Sequence, residues 1–153
     1  MNEFNTYEKC IELFRNARCL GNSNCIFLAY KDVAKTTGGG LVGGMVSGME
    51  YPYDALLINV TEFGIGMLLI KFPFALKIRP EDMKIQKDKL IYYPNENIIN
   101  IKVDKVMFHK NNRRITIKTK DNKKYILIAQ LNEPNLPYHD NNLAMFIQRY
   151  STK

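Results

Sequence analysis

The chain has 153 residues, 46% hydrophobic and 24% charged. That suffices for one domain with its own core and excludes disorder throughout. Its formal net charge is +7, which attracts nucleic acid, anionic lipid or acidic protein and also serves solubility.

The polar opening residues lack the features of a signal peptide, so a cytoplasmic chain is expected. No window approaches the run of about 18 apolar residues that a spanning helix needs. Cys10, Cys19 and Cys25 are odd in number and form no CxxC pair. They read as reduced thiols, neither a disulfide framework nor a metal site.

Residues 3–20 are predicted as a helix. Phe4, Tyr7, Ile11, Phe14 and Arg18 recur at helical spacing, Cys10 and Ala17 flank the stripe, and Gly21 stands where a C-terminal cap is expected. Cys25 to Tyr30 is an apolar, β-compatible run, read as a strand reaching Val33. The stretch from Thr36 to Met49 holds six glycines. Gly38, Gly40 and Gly43 fit GxGxxG, but neither a βαβ unit nor a Gly-Lys-Ser/Thr follows, so dinucleotide and phosphate-loop readings are set aside. What remains is a Gly-rich loop carrying apolar Leu41, Val42, Met45, Val46 and Met49. It reads as a flexible loop, as a helical turn packed on a neighbour, or as a loop that dips into a membrane or a partner.

Ala55–Val60 and Ile65–Lys71 read as paired strands around a turn at Thr61, with Gly64 and Gly66 assigned to positive φ or a bulge. Pro73 ends the second strand, and 75–79 reads as a further short strand before a turn at Pro80. Residues 83–89 fit an edge strand or a loop. Leu90–Tyr93 continues to Pro94, and Asn95–Asn97 is a turn.

The charge is concentrated further on. Between Lys102 and Lys124 nine basic residues face two acidic ones, Asp104 and Asp121, while the rest of the chain balances at 13 and 13. This stretch reads as three antiparallel strands. Ile99, Ile101 and Val103 are predicted inward on the first, and His109–Asn112 forms a turn. Ile115 and Ile117 are inward on the second, with Arg114, Thr116, Lys118 and Lys120 outward. A two-residue turn at Asp121-Asn122 leads to Tyr125–Ala129. Lys102, Arg114, Lys118 and Lys120 then share a solvated face, and Lys110, Arg113, Lys123 and Lys124 lie at the hairpin ends. A loop with Pro134 and Pro137 precedes a final helix capped by Asp140 or Asn141. Its stripe is Leu143, Phe146, Ile147 and Tyr150.

No catalytic signature is present. His109 falls in a turn and His139 in a Pro-flanked loop, and a Cys25–His139 pair is left open only because such partners need not be close in sequence. Glu81 and Asp82 read as a solvated turn. No enzyme activity and no cofactor are expected.

Three motifs carry a family resemblance. Ala55–Thr61 with Gly64–Ile70 resembles the paired strands around a Thr turn of bacterial pleckstrin-homology-like (PH-like) and GRAM-like domains. Residues 91–98 resemble their turn into a strand, and 115–125 their next hairpin. The resemblance spans roughly Cys25 to Tyr150. It implies a mainly β fold: a barrel of about seven antiparallel strands in two nearly orthogonal sheets, plugged by the C-terminal helix. The single domain is then 1–153, with an extra N-terminal helix at 3–20 and a PH-like core at 25–151.

The chain departs from the family pattern twice. Phe63 and Gly64 replace the usual Arg after the Thr turn, and the first inter-strand loop is entered by only Lys31 and Lys35. The resemblance therefore implies a binding module without implying inositol phosphate. The expected function is non-catalytic binding of a protein or peptide, or of an anionic membrane surface. Lys102, Arg113, Arg114, Lys118, Lys120, Lys123 and Lys124 would carry it, together with the apolar loop. Each cation near an anionic surface adds about 1 kcal/mol. In the lipid version the cytoplasmic chain is peripheral to the membrane; in the peptide version a sheet edge or face docks the partner. The alternative is nucleic-acid binding by strands 102–124, with Tyr92, Tyr93 and Tyr125 stacking on bases.

Overall fold

The structure is a computed structural model that describes residues 3–32, 53–72 and 83–150. The Gly-rich loop with its five apolar residues, Pro73, the strand expected over 75–79 and the turn at Pro80 lie outside them. The described chain is mainly β. Helix α1 is Tyr7–Asn16, and the strands are β1 (Cys25–Lys31), β2 (Ala55–Val60), β3 (Gly64–Lys71), β4 (Lys84–Pro94), β5 (Ile98–Val106), β6 (His109–Thr119) and β7 (Lys124–Gln130). A 3-10 turn at Asn95–Asn97 joins β4 to β5, and helix α2 is His139–Tyr150. The seven strands form one antiparallel sheet in the order β4-β3-β2-β1-β7-β6-β5. Its edges are β4 and β5, and among the described residues no pairing between them closes the sheet.

The sheet is curled. Four strand spacings separate β4 from β7, about 19 Å on a flat sheet. Yet the rings of Tyr93 on β4 and Tyr125 on β7 lie 5.9 Å apart, with their hydroxyls 2.7 Å apart. The concave side holds one core, in which Phe27, Leu56, Ile58 and Met67 meet Val103, Ile115, Ile117 and Leu127. Leu143 and Phe146 of α2 complete it, and Ile147 and Tyr150 pack at its margin, as their spacing predicts.

A second core lies on the convex side of β1–β3. Phe4, Cys10 and Phe14 cover Ile26, Leu28, Ala55, Leu57, Leu68 and Ile70. β2 is therefore buried along its whole length and β3 up to its last residue. That explains why both read as unbroken apolar runs rather than as alternation.

Helix α1 is shorter than the predicted 3–20. Thr6 is extended and its hydroxyl accepts from Lys9 N at 3.2 Å, so it caps the helix. Ala17 is the C-terminal cap, and Arg18 takes φ 66° in place of the expected Gly21. Gly64 and Gly66 are not positive-φ sites. They permit close approach: a Cβ would lie 2.2 Å from Tyr93 O at position 64 and 2.5 Å from Cys19 Sγ at position 66.

Residues 84–94 are a continuous edge strand, which resolves the ambiguous 83–89 stretch. In β5 the pairing register shifts between Ile98 and Asn100. The irregularity turns Ile99 outward, 62% exposed, and gives its inward place to Ile98. β6 begins at His109, so the preceding turn is Met107-Phe108 and not His109–Asn112.

Candidate functional site

Among the described residues no helix lies over the convex side of β5–β7. Its cross-strand rungs follow from the register. Asn100, Lys118 and Lys124 form the first, Lys102, Thr116 and Ile126 the second, and Asp104, Arg114 and Ile128 the third. They border an open depression of about 300 Å³. Thus Lys102, Arg114 and Lys118 share a face as predicted, and Lys124, at the hairpin end as expected, joins them directly opposite Lys118.

The charges on this face are unequal. Arg114 Nε donates to buried Asp32 Oδ2 at 2.9 Å, which holds the guanidinium against the end of β1. Lys102 Nζ is 3.7 Å from Asp104, both side chains partly in solvent, a contact of little energetic weight. Lys118 and Lys124 form the end rung of this face, and Lys120 and Lys123 lie exposed in the turn beyond it.

The carboxylate within that turn is tied to Thr119, Tyr93 and the main chain of Lys123. Asp121 accepts from the Thr119 hydroxyl, from Tyr93 OH at 3.0 Å and from Lys123 N at 3.3 Å. The Thr119 hydrogen bond, followed by those from Tyr93 and Lys123, holds its carboxyl below the usual range. The turn has three residues between Thr119 and Lys123, not two, and Asn122 supplies the left-handed position at φ 65°. Lys120 therefore sits past the end of β6, its N–H bonded to Asn97 O, rather than on the strand face.

Arg113 does not belong to the site. It alternates with Arg114 onto the core-side face, and its guanidinium donates to Lys110 O and Asn112 O, both at 2.9 Å. Tyr93 and Tyr125 are not stacking platforms for bases, because both are buried and bonded to each other.

The Cys25 and His139 side chains, a pair left open by the sequence, are each bonded elsewhere. His139 is fully buried at the start of α2, not in a surface loop. Its Nδ1 accepts from Leu28 N at 3.1 Å, and Nε2, 2.6 Å from Gln130 O, donates to it. Burial pushes the ring below its ordinary pKa, outweighing Gln130 and Asp140. The Cys25 thiol donates to Asn142 O at 3.2 Å, and burial pushes it up to about 11. Asp140, expected as a cap, lies inside the helix, where its carboxylate accepts from Glu133 N at 2.9 Å. Among the described residues no group of three or more His, Cys, Asp or Glu could hold a metal, and no helix is long and apolar enough to cross a membrane.

Two surfaces were not foreseen. A groove of about 420 Å³ runs between α2 and the end of the sheet where β1 starts and β2 stops, bordered by Asn24, Cys25, Thr61, Met145, Arg149 and Tyr150. The other is the β5–β6 tip, where Met107 and Phe108 are 76% and 92% exposed. Neither residue alternates with a polar partner across a turn signal, so periodicity could not mark them. Comparison of the chain with protein-family models, with curated proteins and with solved structures finds no match.

Proposed function

We propose that this chain is a non-catalytic binding module of PH-like architecture that presents the convex face of β5–β7 to an anionic partner surface. The PH-like reading draws support from the strand order, the curl of the sheet and the α2 residues in its concave core. The observation that carries the binding reading is Lys118 held directly opposite Lys124 on a sheet face that no described helix covers. Like charges directly opposite each other destabilise a sheet. Lys120 and Lys123 add to that charge, while Asp121 is engaged elsewhere.

The face is favoured over the sheet edge. β5 carries a register irregularity and Lys102 and Lys105, features that discourage strand addition. Nucleic acid is disfavoured by the burial of Tyr93 and Tyr125.

Retention on immobilised polyglutamate and on vesicles containing phosphatidylserine tests the proposal. Wild type should bind one or both in low salt and release in high salt. Lys118→Glu combined with Lys124→Glu should weaken binding by about an order of magnitude or more at an unchanged melting temperature. Equal retention of wild type and this variant would exclude the face.

A further inference from the structure

Phe108 combines features that the basic-face reading does not use. It is 92% exposed at the tip of the β5–β6 hairpin and has φ 67°. The left-handed region is uncommon for any residue other than glycine, and for a bulky one it is an outlier. Asn or Gly is the unstrained choice in a two-residue turn, and Asn122 fills the same role in the next hairpin. Here the turn instead carries an aromatic side chain beside Met107, itself 76% exposed. Burial against the described residues does not explain either side chain.

The surroundings narrow the occupant. Residues 105–113 contain no carboxylate, and Lys105 and Lys110 are exposed on either side of the tip. Arg113 binds the main-chain carbonyls of Lys110 and Asn112 and so stiffens the base of β6. The tip thus presents two apolar side chains, above a register shift between Lys105 and Val106, inside a collar of positive charge. A convex wedge of this kind needs a surface that yields around it and carries negative charge. Both conditions are met by the headgroup layer of an anionic bilayer.

We infer that the β5–β6 tip is a membrane-insertion wedge. Phe108 and Met107 enter the interface of an anionic leaflet, while Lys105 and Lys110 pair with lipid phosphates. This goes beyond the reading of the basic face, since the tip and the Lys118–Lys124 rung lie at opposite ends of β6.

The chain contains no tryptophan, so Phe108→Trp installs a single fluorophore at the tip. With vesicles of phosphatidylcholine and phosphatidylserine, its emission should shift to the blue and be quenched by bromine on the acyl chains. Vesicles of phosphatidylcholine alone should produce neither effect. Phe108→Asn should lower partitioning of the otherwise wild-type chain by about tenfold or more, and its melting temperature should stay the same or rise because the turn is relieved. Lys105→Gln with Lys110→Gln should also lower partitioning and make what remains less sensitive to salt, since fewer charges are left to screen. Lys118→Glu with Lys124→Glu separates the two readings: continued quenching when this pair is added to the Phe108→Trp protein supports insertion by the tip alone. Absence of quenching, or equal partitioning of wild type and Phe108→Asn, overturns the wedge. Binding to polyglutamate with no vesicle binding likewise overturns the wedge while leaving the basic face its acidic-protein partner.

Discussion

The two halves of the sheet solve the same problem in opposite ways. β1–β3 bury both faces, the concave one in the common core and the convex one under α1. β5–β7 bury only the concave face and leave the convex one to water. The first half has no position free to change without touching a packed neighbour. The second has outward positions that no described helix covers, and Lys102, Lys118 and Lys124 stand among them. A surface that evolves toward a partner needs that freedom, so the basic face belongs on this half.

The largest effect should come from breaking the cover of the first half. Phe14 is 2% exposed and belongs to the convex cluster with Ile26 and Leu28. Phe14→Ala should cost about 3–5 kcal/mol in urea unfolding. Thr116→Val, at the centre of the convex face of β5–β7, should stay within about 0.5 kcal/mol. Equal losses at both positions would erase the distinction between the halves.

Close backbone approach supplies the next effect. Gly66→Ala directs a methyl into Cys19 Sγ, where only 2.5 Å is available. The segment leading from α1 must shift, and destabilisation of about 1–3 kcal/mol is expected. Combining it with Cys19→Ala should restore most of the loss, a coupling that a double-mutant cycle in thermal unfolding would read.

His139 sets a pH dependence where the halves meet. Its ring bonds Leu28 of β1 and Gln130 of β7 and is neutral in the fold, with a pKa below 6.5 because of burial. The unfolded chain binds the proton more readily, so stability is full above about pH 6.5 and falls as pH drops below it. Denaturant unfolding at pH 7.5 and 5.0 should show this fall in wild type. His139→Gln should be less stable at pH 7.5 and lose much less between the two pH values. The same slope in both proteins would assign the pH effect to other groups.

Much of this architecture was legible from alternation. Ile115 and Ile117, Tyr125 and Leu127, and the stripe Leu143–Phe146 all follow local periods that the fold obeys. What was not legible depends on breaks in the period or on distant neighbours. The irregularity at Ile98–Asn100 resets the parity of β5 and exposes Ile99. The Met107-Phe108 turn lacks turn chemistry, so the polar His109–Asn112 segment drew the prediction. The burial of His139 depends on β1 and β7, more than 100 residues and 9 residues away. Of the seven basic residues expected to bind, the alternation placed Lys102, Arg114 and Lys118 together. It could not show that Arg113 faces the other way and bonds the main chain, or that Arg114 is held by Asp32.

The smallest effect has the sharpest bearing on why the halves differ. Lys118→Glu replaces a like-charged cross-strand pair by an opposite-charged one at the Lys118–Lys124 rung. The fold should gain about 0.5 kcal/mol, visible as a modest rise in melting temperature at low salt that fades as salt is added. If the lysines only keep the face soluble, the exchange has a structural benefit and no binding cost. If they face an anionic partner, the same variant should be more stable and bind less tightly to polyglutamate or phosphatidylserine vesicles. On the binding reading, stability and binding move in opposite directions at this rung. A variant that is more stable and binds equally well would make the rung ordinary solvated surface.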